Sequence, residues 1–304
     1  MASTSALELV NFATDLCVYD GYGSMSEYIA VGMARAGVDL NVIPMRLQAV
    51  GLSQEMQRIL ARGTSLADGL VLYNSWPRPE LERFAATEHF VHTMCEQSLL
   101  PFSSWAGRLN RARAVMVPTR FAGDALRNSG VSVPIEVVPD GVDPAVYPIV
   151  DRPIRDTFTT LIVGTVQPRK HFPEAISAWQ MAFEADSAAR LIIKTRFGRR
   201  GRGGLPVPHD RRITIVDESE PSRGILHWYA QADVLLALGN EGFGLPLVEG
   251  MSTGLPVIAL SSEGQRDVCT DAGDLVLAVP PGHWERANVA SLPGDPLGSG
   301  ACGS

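Results

Sequence analysis

The stretch that decides the fold is Gly239-Asn240-Glu241-Gly242-Phe243-Gly244-Leu245-Pro246-Leu247-Val248-Glu249-Gly250-Met251. The apolar segment Val234–Ala237 ahead of it reads as a buried strand, and from about Pro246 the pattern reads as a helix. Proline suits a first helical turn, where its missing N–H would have no partner anyway, and Gly-Phe-Gly before it lets a ligand come close to the backbone. Unpaired N–H groups and the positive end of the helix dipole then make an anion site beyond Gly244, and a diphosphate fits that demand. Glu249 lies about one helical turn inside, its side chain tilted back toward the helix start. A carboxylate repels phosphate, so its partner is a sugar hydroxyl such as a ribose's, and Glu241 in the loop meets sugar hydroxyls by the same reasoning. The plain alternative is two solvated acids flanking a helix start.

Working outward, short apolar runs alternate with helical patterns. The second half reads as strand Thr159–Val163, helix Phe172–Ala185, strands Arg190–Lys194 and Ile213–Val216, helix Ser222–Gln231, the strand and helix above, and strand Pro256–Leu260. The first half repeats the theme: strand Leu7–Asn11, a helix from about Ser24 to Ala36, strand Leu40–Pro44, a helix around Ser53–Arg62 and strand Gly69–Tyr73. Strands His89–Thr93, Ala114–Pro118 and Ile135–Pro139 follow, with helices near Ser103–Ala112 and Phe121–Ser129 between them. Such alternation predicts βαβ units and parallel sheets, an α/β chain. The turn formers Pro139-Asp140-Gly141-Val142-Asp143-Pro144, with prolines at 148 and 153, place a linker between domains 1–148 and 149–304. Arg196 to Gly204, dense in arginine and glycine, reads as a solvated loop, and the tail from about 280 reads as irregular.

Composition agrees with two folded domains. The chain has 304 residues, 45% hydrophobic and 19% charged, enough to bury two cores, and its net charge of −7 argues against a dedicated nucleic-acid binder. Cys17, Cys95, Cys269 and Cys302 lack metal-ligand spacing and read as reduced thiols of a cytoplasmic protein. Met1 to Leu16 carries acids and no basic flank, so it does not read as a signal peptide, and no run is long enough to span a membrane. No acidic pair has the context of a metal site, so neither a metal nor another cofactor is expected.

These motifs resemble those of the retaining GT-B glycosyltransferases of family 4, the glycosyl transferases group 1. The likeness is carried by Glu241-Gly-Phe-Gly-Leu-Pro-Leu-Val-Glu249 with Gly254-Leu-Pro-Val-Ile258, by Pro139-Asp-Gly-Val-Asp143, by Val163-Gly-Thr-Val-Gln-Pro-Arg-Lys170 and by Val117-Pro-Thr-Arg-Phe121. It covers about residues 9 to 279. The resemblance implies two Rossmann-like doubly wound domains facing a central cleft, and against the family pattern the C-terminal part reads as shortened. It implies donor-binding residues Gly21, Gly23, Gly164, Gly242, Phe243, Gly244, Leu245 and Glu249, and catalytic residues Arg169, Lys170, Glu241 and His92.

By that resemblance Arg169 and Lys170 neutralise a leaving diphosphate, and Gly164 lets the backbone pass close to it. Gly21-Tyr-Gly23 lies near the donor sugar and acceptor. His92 and Glu96 orient or deprotonate an acceptor hydroxyl, while retention follows from front-face attack without a protein nucleophile. The bland counterparts are a basic pair on an exposed loop, an ordinary βα turn and a structurally satisfied histidine. Two positions depart from the family pattern: His171 stands for glycine and Asp140 for asparagine. The expected donor is a UDP- or GDP-sugar. The acceptor is open among small molecule, glycan, lipid and modified nucleic acid, the last if the arginine loop engages phosphates. Two alternatives are a noncatalytic nucleotide-sugar-binding protein and a related GT-B enzyme such as a nucleotide-sugar epimerase.

Overall fold

The computed structural model describes residues 9–17, 19–196, 205 and 209–282. Asp140 is the last residue of one compact unit and Gly141 the first of a second. The arginine- and glycine-rich stretch at 197–204 and the tail from 283 lie outside the described residues, as does Cys302. Cys95 and Cys269 are free and buried, whereas Cys17 is not a free thiol, which corrects that part of the expectation.

The first unit runs β1 (Val10–Leu16), α1 (Gly21–Arg35), β2 (Leu40–Leu47), α2 (Gln54–Leu60), β3 (Leu70–Asn74), a 3-10 turn at Pro79–Phe84, β4 (His89–His92), α3 (Ser103–Leu109), β5 (Ala114–Val117), α4 (Arg120–Asn128) and β6 (Ile135–Val137). Its strands pair in parallel in the order β2-β1-β3-β4-β5-β6. β1 begins later than the expected Leu7–Asn11 and runs on to Leu16. Polar residues disguise it. Flanked by β2 and β3, it buries Phe12, Ala13 and Leu16, and its polar members are buried too because they have partners. Asn11 Nδ2 donates to Ala67 O at 2.9 Å, Thr14 Oγ1 donates to Asn74 O at 3.0 Å, and Asp15 pairs with Arg78. β2 continues past Pro44, which an edge strand tolerates, and the register slips beside it.

The second unit runs β7 (Thr159–Val163), a 3-10 turn at Pro168–Lys170, α5 (Phe172–Ala182), β8 (Arg190–Thr195), β9 (Ile213–Asp217), a 3-10 turn at Ser222–Ile225, α6 (Leu226–Gln231), β10 (Val234–Ala237), α7 (Leu245–Ser252), β11 (Val257–Leu260), α8 (Glu263–Ala272) and β12 (Val276–Val279). The order is β12-β11-β10-β7-β8-β9, again parallel. Phe172, Ile176 and Trp179 of α5 pack on Leu191 and Ile193 of β8 to form its core. α5 stops at Ala182, short of the expected Ala185, where Phe183 leaves the helix and lies against Trp179 and Phe158. α8 and β12 had no counterpart in the sequence reading. Tyr147, just before the proline pair, is fully buried against Tyr229 with ring centroids 5.9 Å apart.

In each sheet one strand starts a reversal of strand order: β7 is followed outward by β8 and β9 on one side and by β10, β11 and β12 on the other. The loops leaving β7 and β10 diverge there, which opens a crevice at the carboxyl ends of the strands. The corresponding pair in the first unit is β1 and β3.

Candidate active site

The loops that follow β7 and β10 are stitched together. Asn240 N donates to Arg169 O at 2.8 Å, and Arg169 Nη1 donates back to Asn240 O at 2.7 Å. The same Nη1 reaches Glu241 Oε2 at 2.7 Å, while Lys170 Nζ pairs with Glu241 Oε1. Two cations and one carboxylate thus meet in a half-buried cluster. Burial works against an ionised Glu241, but the charges of Lys170 and then Arg169 outweigh it and hold the carboxyl well below the usual carboxylate range. A missing side chain makes room for this trio: a Cβ on Gly239 would lie 3.1 Å from both Lys170 Cδ and Glu241 Oε1.

Gly244 takes φ 100° as the N-cap of α7, a conformation that an L side chain resists, and Pro246 follows in the first turn. Lys170, Glu241, Gly244, Leu247 and Gln265 line a small pocket above β7 and β10. Phe243 and Leu245 are 6% and 8% exposed, so their side chains anchor the loop in the protein. Gly242 is held from behind: a Cβ on Gly264 would meet Gly242 O at 2.0 Å, so the start of α8 packs directly on the loop backbone. Gln265 Nε2 donates to Ala237 O and Leu260 O, both at 2.8 Å, and Ser262 Oγ donates to Asn240 Oδ1 at 2.7 Å. Ser262, Gly264 and Gln265 escaped the sequence reading. The available signal was a glycine just inside a helix, a mark of close backbone approach.

Glu249 is 4% exposed, and its Oε2 accepts a hydrogen bond from Tyr229 Oη at 2.7 Å. Burial pushes its carboxyl up to about 7, against the opposing effect of hydrogen bonds from Tyr229 and Tyr147. His171 adopts φ 51° between the Arg-Lys turn and α5, the left-handed conformation for which glycine is suited. Arg196 Nε donates to Thr165 Oγ1 at 3.1 Å, which brings the first residue of the arginine loop to the segment after β7.

Gly21, Gly23 and His92 belong to the first unit. Gly21 and Gly23 form the first turn of α1 rather than the turn ahead of it, and Asp20 Oδ1 caps that turn by accepting from Gly23 N at 2.7 Å. A Cβ on Gly23 would lie 1.9 Å from Cys17 O, so the close approach made there is to the chain's own backbone. His92 is buried at the end of β4, with Nδ1 2.7 Å from Asn74 Oδ1 and Nε2 3.5 Å from Asp140 Oδ1, and burial lowers its pKa to about 4. Glu96 lies half-buried past β4. At the β1/β3 reversal, Arg78 is buried against Asp15 and donates to Ser75 Oγ at 2.7 Å, an ion pair that sequence spacing did not reveal.

Residues 157–291 match the family described as Glycosyl transferases group 1. A phosphatidyl-myo-inositol mannosyltransferase of Mycobacterium leprae is 30% identical over 190 residues, 59% of this chain and 48% of that protein. A D-inositol 3-phosphate glycosyltransferase of Thermomonospora curvata is 30% identical over 135 residues, 40% of this chain and 31% of that protein. The chain thus spans between about a third and a half of the length of these curated relatives. A glycosyltransferase from Rickettsia africae shares the fold with TM-score 0.65 at 14% identity, over 94% of this chain and 86% of that one. An E. coli trehalose-6-phosphate structure bound with UDP-2-fluoro glucose does so with TM-score 0.62 at 11% identity, over 90% and 88%. The architecture of two doubly wound units is that of the GT-B fold.

Proposed function

Since the chain belongs, through residues 157–291, to the glycosyl transferases group 1 family, we propose that it transfers a hexose from a UDP- or GDP-sugar to an acceptor hydroxyl with retention of configuration. One observation carries this: Arg169, Lys170 and Glu241 converge at the opening of α7, at the strand-order reversal of a doubly wound sheet. A donor diphosphate placed there would compete with Glu241 for the two cations. Charge-assisted hydrogen bonds of this kind contribute about 1.5–3 kcal/mol each, and they strengthen as the leaving group gains charge, which lowers the barrier. Glu241, displaced from the cations, would turn to hydroxyls of the donor sugar. Ribose hydroxyls would take over from the tyrosine that now donates to Glu249.

Retention needs no protein nucleophile here: the leaving phosphate oxygen takes the proton of an acceptor hydroxyl attacking from the same face. The inositol glycosyl- and mannosyltransferases among the relatives point to an inositol-type polyol as the acceptor class to try first. The UDP-2-fluoro glucose of the E. coli structure supports a nucleotide-sugar donor. Activity without added metal completes the proposal.

The test is a thermal-shift screen of the purified chain against UDP, GDP, ADP and their hexose conjugates, followed by transfer assays with and without EDTA. A ligand at about a hundred times its Kd adds roughly 2.7 kcal/mol to the folded state, a rise of several degrees in Tm. A shift without transfer to any acceptor would leave a noncatalytic nucleotide-sugar-binding protein. No shift with any nucleotide would remove the donor site.

A further inference from the structure

The polar groups buried in the first unit form a hydrogen-bonded chain whose proton positions can be worked out. Ser26 Oγ donates to Tyr22 O at 2.7 Å, and Thr14 Oγ1, 2.7 Å from Ser26 Oγ and 3.0 Å from Asn74 O, gives its one proton to one of those two oxygens, so neither hydroxyl has a proton left for the Asn74 amide. Asn74 Nδ2 lies 3.0 Å from both hydroxyl oxygens and donates to each. That orients the amide and turns Oδ1, an acceptor only, toward His92 Nδ1 at 2.7 Å. His92 therefore carries a proton on Nδ1, and in the neutral ring the lone pair sits on Nε2. Nε2 faces Asp140 Oδ1 at 3.5 Å, and neither Asp140 oxygen has a hydrogen-bond partner among the described residues. A lone pair set against a carboxylate in a dry interior is repulsive, and a single proton between the two removes the repulsion.

We propose that His92 and Asp140 hold one proton between them, and that Asp140 is the positioning residue that sets the charge of the His92 ring, whose tautomer Asn74 fixes. Both side chains are almost wholly enclosed, at 6% and 1% exposure. Burial raises the Asp140 carboxyl to about 7 and lowers His92 to about 4, so the proton sits on the carboxyl and points at Nε2. The other titratable groups of this cluster are Tyr22 on α1, whose Oη accepts from Met94 N at 3.3 Å and whose pKa burial raises, and Glu96, which acts on Tyr22 through its charge. As pH rises the Asp140 O–H bond breaks and its proton passes to solvent hydroxide, which leaves a buried carboxylate facing a lone pair and drives the ring from this position. The pair thus changes state near neutral pH.

The experiment is nitrogen-15 imidazole NMR on the full chain across about pH 5.5 to 9, with His92 assigned by the signal missing in His92→Gln. The expected ring is protonated at Nδ1 and accepting at Nε2, with a transition near pH 7. In Asp140→Asn the amide donates to Nε2 and has no acid to lose, so the transition disappears while the tautomer stays. A ring protonated at Nε2, or one titrating as an ordinary imidazole near 6.5 in both proteins, would overturn the proposal. Should the variant fail to fold, the carbon-13 carboxyl signal of Asp140 in the unmodified chain decides: titration near 4 overturns the pair, titration near 7 supports it. The inference rests on the proposed function only for its effect on turnover, where Asp140→Asn flattens the kcat-pH profile around neutrality with donor KM unchanged. Proton occupancy is read with no donor present, so absence of transferase activity and absence of the shared proton are separate outcomes.

Discussion

Replacing Glu249 by glutamine should make the second unit more stable at alkaline pH. Glu249 is 4% exposed and hydrogen-bonded to Tyr229, and burial moves its pKa from 4.5 to about 7. An unfolded glutamate releases its proton near 4.5 and the folded one retains it to about 7. Between those values the folded state binds more protons, so its stability falls as pH rises. At about 1.4 kcal/mol per pH unit the complete loss is roughly 3 kcal/mol, of which about 2.5 falls between pH 5 and pH 8. Glutamine keeps the shape and an acceptor for Tyr229 but has no proton to lose. Urea unfolding followed by tryptophan fluorescence, with Trp179 and Trp228 in the same unit, gives stability at both pH values for both proteins. The difference between them isolates Glu249, because every other titrating group is common to the pair. An identical pH trend in the two proteins would refute the reasoning, and a variant that weakens at pH 8 would mean that the folded carboxylate is stabilised in its charged form.

Lys170→Ala should weaken UDP or GDP binding about tenfold or more and flatten its salt dependence, as read by calorimetry at low and high ionic strength. Glu241→Gln should instead tighten the free nucleoside diphosphate severalfold, since both cations lose their internal competitor, while reducing the preference for the sugar conjugate; weaker diphosphate binding would show that Glu241 does not compete for the cations. Gly264→Ala places a methyl group 2.0 Å from Gly242 O and should cost about 2–4 kcal/mol of stability, seen as a lowered Tm, and an unchanged Tm would show that the α8 start is free to move. His171→Gly should raise stability by about 1 kcal/mol in urea unfolding, by relieving the left-handed strain at φ 51°.

Much of the layout was legible in the sequence because each βα repeat is written locally. The run Thr159–Val163, wholly apolar or β-branched, became β7 with the bounds expected of it, and Gly244 before Leu-Pro announced the start of α7. Where polar residues are buried the local signal failed. β1 was misplaced because Asn11, Thr14 and Asp15 find partners on β3 and on the segments that precede and follow it, and α8 went unseen because Gln265 and Asp267 are buried on a helix with few apolar positions. The comparison with known families agrees with the resemblance read from the glutamate and glycine motifs.

Sequence by itself determined the alternation and the parallel class, because hydrophobic period and turn chemistry are properties of neighbouring residues, and the family resemblance singled out Arg169, Lys170 and Glu241. Only the tertiary structure decided that Arg169 and Lys170 neutralise Glu241, that Gly264 supports Gly242, and that Asp140 meets His92. Those partners lie tens of residues apart, and their distances and desolvation arise only when the sheets assemble.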